Sequence, residues 1–292
     1  MAGEHTVTTP DGRMLVVTES GDPSGRPVLM HHGTPSSGLL YGPHEALARE
    51  QGIRLLGYDR AGYGRSTRHA GRRVADCVGD VHAIADALGL DRFACWGISG
   101  GGPHVLACAA LCDERCAAVA SLAAVAPYEA DELDWYEGMG QENWDEFGAA
   151  LAGEETLRAF LAPIREHHLR IEPHEVVSIF ETLVGPEDRS ALTGEFAAWV
   201  TASGKRGLED GMDGWVDDDL AFAEPWGFEL ASIDRPVLLL HGEDDRFVPV
   251  SHGHWLAERI PNVDARIDAS DGHLTLLERR MHETHEWLLA RL

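Results

Sequence analysis

Phe93-Ala94-Cys95-Trp96-Gly97-Ile98-Ser99-Gly100-Gly101 reads as an apolar strand that runs straight into a glycine-rich turn. A helical pattern follows it from Gly101 to Leu111. A serine on such a strand-to-helix turn projects its hydroxyl from the sheet edge, and small residues at Gly97 and Gly101 let the flanking chains approach closely. The N-terminus of the following helix favours negative charge that develops beside it. Five letters of Gly-x-Ser-x-Gly alone recur by chance; strand, turn and helix in register make the pattern informative.

The same alternation extends on both sides. Residues 5–22 read as a hairpin that turns at Pro10-Asp11-Gly12. Further strands are expected at Pro27–His32, Ile53–Asp59, Arg92–Ile98, Ala117–Ala126, Pro236–His241 and Val263–Asp268. Helices are expected at Ser37–Gln51, Val74–Leu88, Gly101–Leu111, Ser251–Arg259 and Leu274–Leu289. Several strands are nearly continuous apolar runs, as befits parallel strands covered on both faces. The alternation predicts a doubly wound α/β sheet. It stops between about Tyr128 and Leu230, where the chain reads as helical. That stretch holds five of the eight tryptophans, Trp135, Trp144, Trp199, Trp215 and Trp226. The expected organisation is a core of 1–127 and 231–292 with a helical cap of 128–230. The cap would lie over the strand C-terminal ends, where open α/β sheets bind ligands, and one or two of its tryptophans would face the pocket.

A serine hydroxyl is a weak nucleophile at neutral pH and needs a base. His273, in Asp271-Gly272-His273-Leu274, falls in the loop after the last strand. The base needs an acid to fix its tautomer and stabilise its cation. Asp245 falls just after the Val237–Leu240 strand. The order Ser99, Asp245, His273 is that of the nucleophile-elbow architecture. Acyl transfer also needs fixed donors for an oxyanion. His31-His32-Gly33-Thr34-Pro35 follows the Val28–Met30 strand, and the N–H groups of Thr34 and Gly100 are the candidates. Pro35 has no N–H to offer. His32, Gly33, Gly97 and Gly101 are read as supports. Adjacent residues of an extended segment point to opposite sides, so His31 and His32 are expected to be structural and no metal site is expected. His104 is expected to pack behind the site.

These motifs resemble the α/β-hydrolase superfamily in its capped form. His32–Pro35 resembles the oxyanion loop, Tyr58–Ser66 the turn after the fourth strand, Gly97–Gly101 the elbow, and Gly272-His273 the histidine loop. His241–Pro249 resembles the acid loop; two residues separate the acid from Val248-Pro249, which selects Asp245 over Asp244. Asp59 and Arg60 are read as pins for their turn. The resemblance covers 1–127 and 231–292. It implies a mostly parallel eight-stranded sheet flanked by helices, with the cap inserted after the sixth strand. It also implies a serine hydrolase that cleaves a small ester or related acyl substrate through an acyl-enzyme, without a cofactor. Ser99 stands where dehalogenases and epoxide hydrolases of the superfamily use aspartate. Carbon–carbon bond hydrolases and cofactor-free haloperoxidases share the Ser-His-Asp set.

The chain carries 49 acids and 24 bases, a net charge of −25. Nucleic acid or an anionic membrane would meet a repulsive field, so neither is an expected partner. The 128–230 stretch has 25 acids against 6 bases, a net of −19. Solvated helix faces account for such a bias. A substrate with an ammonium group, as for an aminopeptidase or aminoacyl-ester hydrolase, is the sharper alternative. A binding module on the same scaffold is a third, because fold alone does not guarantee chemistry. No apolar run approaches the length of a membrane span, and the first residues lack a signal-peptide pattern; a cytoplasmic location is expected. Five cysteines without framework spacing fit a reduced compartment. Cys108, Cys112 and Cys116 sit among alanines and, like Cys77 and Cys95, read as small packed hydrophobes.

Overall fold

The structure is a computed structural model and describes residues 3–292. The strands are β1 (Gly3–Thr8), β2 (Met14–Gly21), β3 (Arg26–His31), β4 (Ile53–Tyr58), β5 (Phe93–Ile98), β6 (Cys116–Leu122), β7 (Val237–Gly242) and β8 (Val263–Asp268). They form one sheet in the order β1-β2-β4-β3-β5-β6-β7-β8. The β1–β2 and β2–β4 pairs are antiparallel and every other pair is parallel. From β3 the chain proceeds outward to β4 on one side, then returns to β5 on the other. Loops after β3 and β5 therefore leave in opposite directions and open a crevice, the switch point of a doubly wound sheet. Thr34 and Ser99 stand on those two loops.

Alternate residues of each central strand face opposite layers, as the period of two requires. Leu29, Leu56, Cys95, Val119 and Leu239 pack on one face. That face is covered by α2 (Cys77–Leu88), α3 (Gly101–Leu111) and α9 (Val250–Arg259). Val28, Leu55, Trp96, Ala120 and Leu238 pack on the other, under α1 (Gly42–Glu50) and α11 (Met281–Leu289). Between β6 and β7 come α4 (Gln141–Leu151), α5 (Glu154–Arg170), α6 (Pro186–Ala191), α7 (Gly194–Leu208) and α8 (Asp213–Ala223). These inserted helices share a small core of Ala150, Leu157, Leu161, Leu208, Trp215 and Val216, which Tyr63 of the sheet domain completes. A Cβ on Gly214 would lie 2.6 Å from Tyr63 Cγ, so only glycine admits that contact. Among the described residues no helix is long and apolar enough to cross a membrane.

Three elements differ from the sequence reading. The helix expected from Ser37 begins at Gly42, because Pro43 suits a first turn and Gly38 is engaged elsewhere. Its N–H donates to Asp59 Oδ1 at 2.7 Å, with the Tyr58 backbone too close for any Cβ. The strand expected to reach Ala126 ends at Leu122, where Ala123 turns to φ +46°. The single helix expected over 274–289 is two, α10 (Thr275–Arg279) and α11. Arg280 breaks it at φ −105°, ψ 2°, and its guanidinium reaches Asp268 and Asp271, each at 2.5 Å.

Leu238 is fully buried at the centre of β7. Leu238→Ala is expected to cost about 2–5 kcal/mol through lost burial and a residual cavity. A lower urea midpoint at unchanged slope is the reading that checks it.

Candidate active site

Ser99 sits at φ +54°, a conformation that costs a non-glycine residue about 1–3 kcal/mol and persists only where the surroundings impose it. Here its N–H donates to Leu122 O (2.9 Å) and its C=O accepts from Gly102 N (2.8 Å). A Cβ on Gly97 would come within 2.6 Å of the Gly101 carbonyl carbon, and one on Gly101 within 2.8 Å of the His31 carbonyl carbon. The glycines of the turn are thus required by backbone against backbone. A Cβ on Gly100 would lie 2.9 Å from Thr34 Cβ, so the loop after β3 packs directly on the turn that carries Ser99.

His273 and Asp245 are both almost fully buried. His273 Nδ1 donates to Asp245 Oδ2 at 2.8 Å. The other carboxylate oxygen accepts from the N–H groups of Phe247 (2.9 Å) and Val248 (2.8 Å). This fixes the carboxylate, and with the proton on Nδ1 the Nε2 lone pair is left free to accept one. The Phe247 ring stacks on the imidazole at 4.5 Å. Burial pushes the His273 pKa down, but the Asp245 carboxylate outweighs it and holds the imidazole above the ordinary histidine value.

The loop after β3 is held by a buried ionic knot. His32 Nδ1 donates to Gly33 O (2.7 Å), and its Nε2 accepts from Arg60 N (3.1 Å). The Arg60 guanidinium reaches His32 O, Gly33 O (3.2 Å) and Thr34 Oγ1 (3.1 Å). It also pairs with Asp218 Oδ2 at 2.6 Å. That same oxygen accepts from Thr34 Oγ1 (2.6 Å) and Tyr63 OH (2.8 Å), while Arg72 lies 2.6 Å from Asp218 Oδ1. Burial would push the Asp218 carboxyl up; Arg60 and Arg72 outweigh it and hold it well below the usual range. Asp59 pins its turn as expected, accepting from Gly38 and from Arg206 at 3.2 Å. Arg60 does more than pin a turn, since it joins the loop to the inserted helices.

The family description alpha/beta hydrolase fold matches residues 26–280. The chain belongs to the α/β-hydrolase family. It is 28% identical to a non-heme chloroperoxidase of Streptomyces lividans over 247 residues, covering 84% of this chain and 83% of that protein. It is 27% identical to a bifunctional esterase/perhydrolase of Acinetobacter calcoaceticus over 259 residues, covering 88% of each. A proline iminopeptidase of Xanthomonas citri shares 24% over 297 residues, covering 90% of this chain and 88% of that protein.

In this α/β-hydrolase two adjoining cavities meet at Ser99. The larger, about 430 Å³, is lined by Ser99, Gly100 and Thr34 with Phe147, Trp215 and Phe222. The smaller, about 100 Å³, is lined by Ser99, His273 and Trp199. Trp215 and Trp199 are therefore the tryptophans of the insert that face the cavities. Trp135 and Trp226 are core, and exposed Trp144 stacks on Tyr136. His104 packs behind the elbow, with Nδ1 donating to Gly100 O at 2.7 Å. Among the described residues the one histidine–cysteine–carboxylate group close enough to share an ion is His31, Cys95 and Cys108. Ligation requires thiolates, and neighbouring thiols together with burial push the Cys108 pKa well up. Burial pushes the Cys95 thiol up as well, but hydrogen bonds from Cys108 and Cys116 outweigh it and lower that pKa to about 7; all three side chains of the cluster are fully buried.

The sequence reading missed the acids that face inward. Asp217, Asp218 and Asp219 are all buried, as is Asp188. A signal was present in Trp215-Val216-Asp217-Asp218-Asp219-Leu220-Ala221-Phe222: a helical turn cannot bury both apolar flanks and keep three intervening acids in water. Asp218→Ala removes the partner of two buried guanidiniums, and unfolding free energy is expected to fall by about 3–5 kcal/mol, measured by urea denaturation.

Proposed function

We propose that this α/β-hydrolase is a serine hydrolase of the carboxylesterase type (EC 3.1), cleaving a small ester or related acyl compound. Ser99 attacks the carbonyl carbon while His273 Nε2 takes its proton. Asp245 holds the Nδ1 proton and stabilises the imidazolium. The N–H groups of Thr34 and Gly100 receive the oxyanion. His273 then protonates the leaving alcohol, and water, activated by the same imidazole, releases the acid and regenerates Ser99. The inserted helices serve as the cap, and the cavity beneath them takes the substrate. The observation that carries this reading is the oriented His273–Asp245 pair, whose imidazole lines the same cavity as a serine at positive φ. The esterase/perhydrolase relative supports it.

A fluorophosphonate probe with intact-mass readout tests it. One adduct is expected on the wild type and none on Ser99→Ala, with turnover of acyl esters falling about 10,000-fold or more in that variant. Undiminished turnover in Ser99→Ala would overturn the reading. His273 must be neutral to accept a proton, and its pKa is raised. Activity is therefore expected to be full at alkaline pH and to fall to half at a pH above 6.5 as the imidazole protonates, checked by the pH profile of kcat/KM.

One observation favours a second reading, a substrate bearing an ammonium group. Glu146 and Asp219 line the larger cavity, and Trp215 Nε1 donates to Glu146 at 2.6 Å. Asp219 is buried, and its Oδ2 has no hydrogen-bond partner among the described residues. Burial first, then Glu146, pushes the Asp219 pKa well above the carboxylate range, which favours a bound proton. A cation supplies the missing donors and draws that proton off. Aminoacyl esters are then expected to show KM about tenfold below isosteric neutral esters at low salt, with the difference lost in Asp219→Asn. Equal KM values for the two esters would exclude it.

A further inference from the structure

The His273 loop is held from outside the sheet domain. Asp188, on the inserted helix α6, is fully buried. One of its carboxylate oxygens accepts the N–H of His273 at 2.9 Å. The other accepts the N–H groups of Leu274 (2.8 Å) and Thr275 (3.0 Å). Space for the carboxylate exists because residue 272 is glycine: a Cβ there would stand 2.7 Å from Asp188 Cγ and from both oxygens.

We propose that Asp188 is a positioning residue for the base: a carboxylate supplied by the inserted helices that fixes the His273 backbone and stabilises the imidazolium alongside Asp245. The proposal rests on the serine-hydrolase reading. Three N–H donors converging on one buried carboxylate make charge-assisted bonds, stronger than neutral ones. They set the main chain from which the imidazole projects, and small displacements of a base are expensive in rate. The imidazole becomes a cation in both half-reactions, and a second negative charge in the same low-dielectric surroundings favours that form.

The other charged groups around His273 are accounted for. Asp245 occupies Nδ1, and His241 Nε2 lies 3.5 Å from Asp245 Oδ2 while hydrogen-bonded to Val248 O at 2.7 Å. Asp271 is paired with Arg280 at 2.5 Å and lies 3.7 Å from Arg279. Glu187, beside Asp188 on α6, pairs with Arg279 at 3.1 Å. Asp188 raises the His273 pKa together with Asp245; burial in turn raises the Asp188 carboxyl above its ordinary value, against the lowering pull of His273 and of the loop N–H donors.

The test compares the pH dependence of fluorophosphonate inactivation in the wild type, Asp188→Asn, Gly272→Ala and Glu187→Gln. Asp188→Asn keeps the shape and removes the charge. Its acid-limb midpoint is expected to fall by about 0.5–1 pH unit, with the plateau rate down about tenfold or more. Gly272→Ala displaces the carboxylate without removing it, so the plateau falls while the midpoint stays nearer the wild type. Glu187→Gln removes the partner of Arg279, which also donates to Ser270 O at 2.9 Å, but leaves the three N–H donors to Asp188 in place, and both parameters are expected to hold. A folded Asp188→Asn that matches the wild type within twofold at the same midpoint would overturn the proposal. So would a Glu187→Gln profile that moves as far as that of Asp188→Asn. If circular dichroism shows Asp188→Asn unfolded, Gly272→Ala decides: a tenfold lower plateau supports the proposal and an unchanged one refutes it. A wild type that takes no label at all would remove the hydrolase reading, and this proposal with it. A labelled wild type matched by Asp188→Asn removes this proposal alone.

Discussion

The ion pair between Arg60 and Asp218 is the interaction on which the candidate site depends. Two buried charges are costly to desolvate, and the cost is recovered only where geometry and extra hydrogen bonds are good. Asp218 meets that condition with Arg60, Arg72, Tyr63 and Thr34 around one carboxylate. Arg60 meets it in part, with terminal donors on the backbone of His32 and Gly33, while its Nε has no partner among the described residues. The loop after β3 therefore has a single position, and that position faces Gly100 across the sheet's switch point. Removing Asp218 would leave two buried guanidiniums unpaired, and removing Arg60 would leave the carboxylate with Arg72 as its one close guanidinium, so the members of the knot support one another.

The division of labour between the two parts of the chain follows. The parallel sheet delivers Ser99, Asp245 and His273 to one edge, because each lies just beyond a strand that ends there. It does not by itself immobilise the loops that carry them. The inserted helices do that from above, with Asp218 gripping the loop after β3 and Asp188 the loop after β8. Helices joined to the core through buried carboxylates differ from a lid that rests on apolar contact alone. Lifting them would expose unpaired guanidiniums and free N–H groups, which ties opening of the cavity to loosening of the site.

The acidity of the insert acquires a physical meaning on the same grounds. Its net charge of −19 invites the view that its helices are merely wet, and many of its acids are exposed. Yet the four most consequential ones, Asp188, Asp217, Asp218 and Asp219, are buried, and they serve three purposes. Asp217 pairs with Arg68 at 2.7 Å, Asp218 and Asp188 hold loops, and Asp219 faces the cavity with an oxygen unpaired.

Hydrophobic periodicity, glycine placement and chain order determine much of this protein directly. Apolar runs of five or six residues between amphipathic segments can only be buried parallel strands, so the sheet is legible. A serine after such a run, between Gly97 and Gly101, is legible for the same reason, because backbone proximity there tolerates nothing larger. Asp245 and His273 are found by position after a strand. Helix boundaries were less legible at Gly42 and Arg280, since hydrogen bonds from Gly38 and Arg280 to distant acids override local propensity. Asp188 was not legible at all, and Asp218 and Asp219 only through their run of acids between apolar flanks. An aspartate reads alike on a wet helix face and in a buried knot, because its side chain carries no record of what lies opposite. Only the tertiary structure supplies the partner, and at these positions the partner determines whether the carboxylate holds the site or faces its cavity.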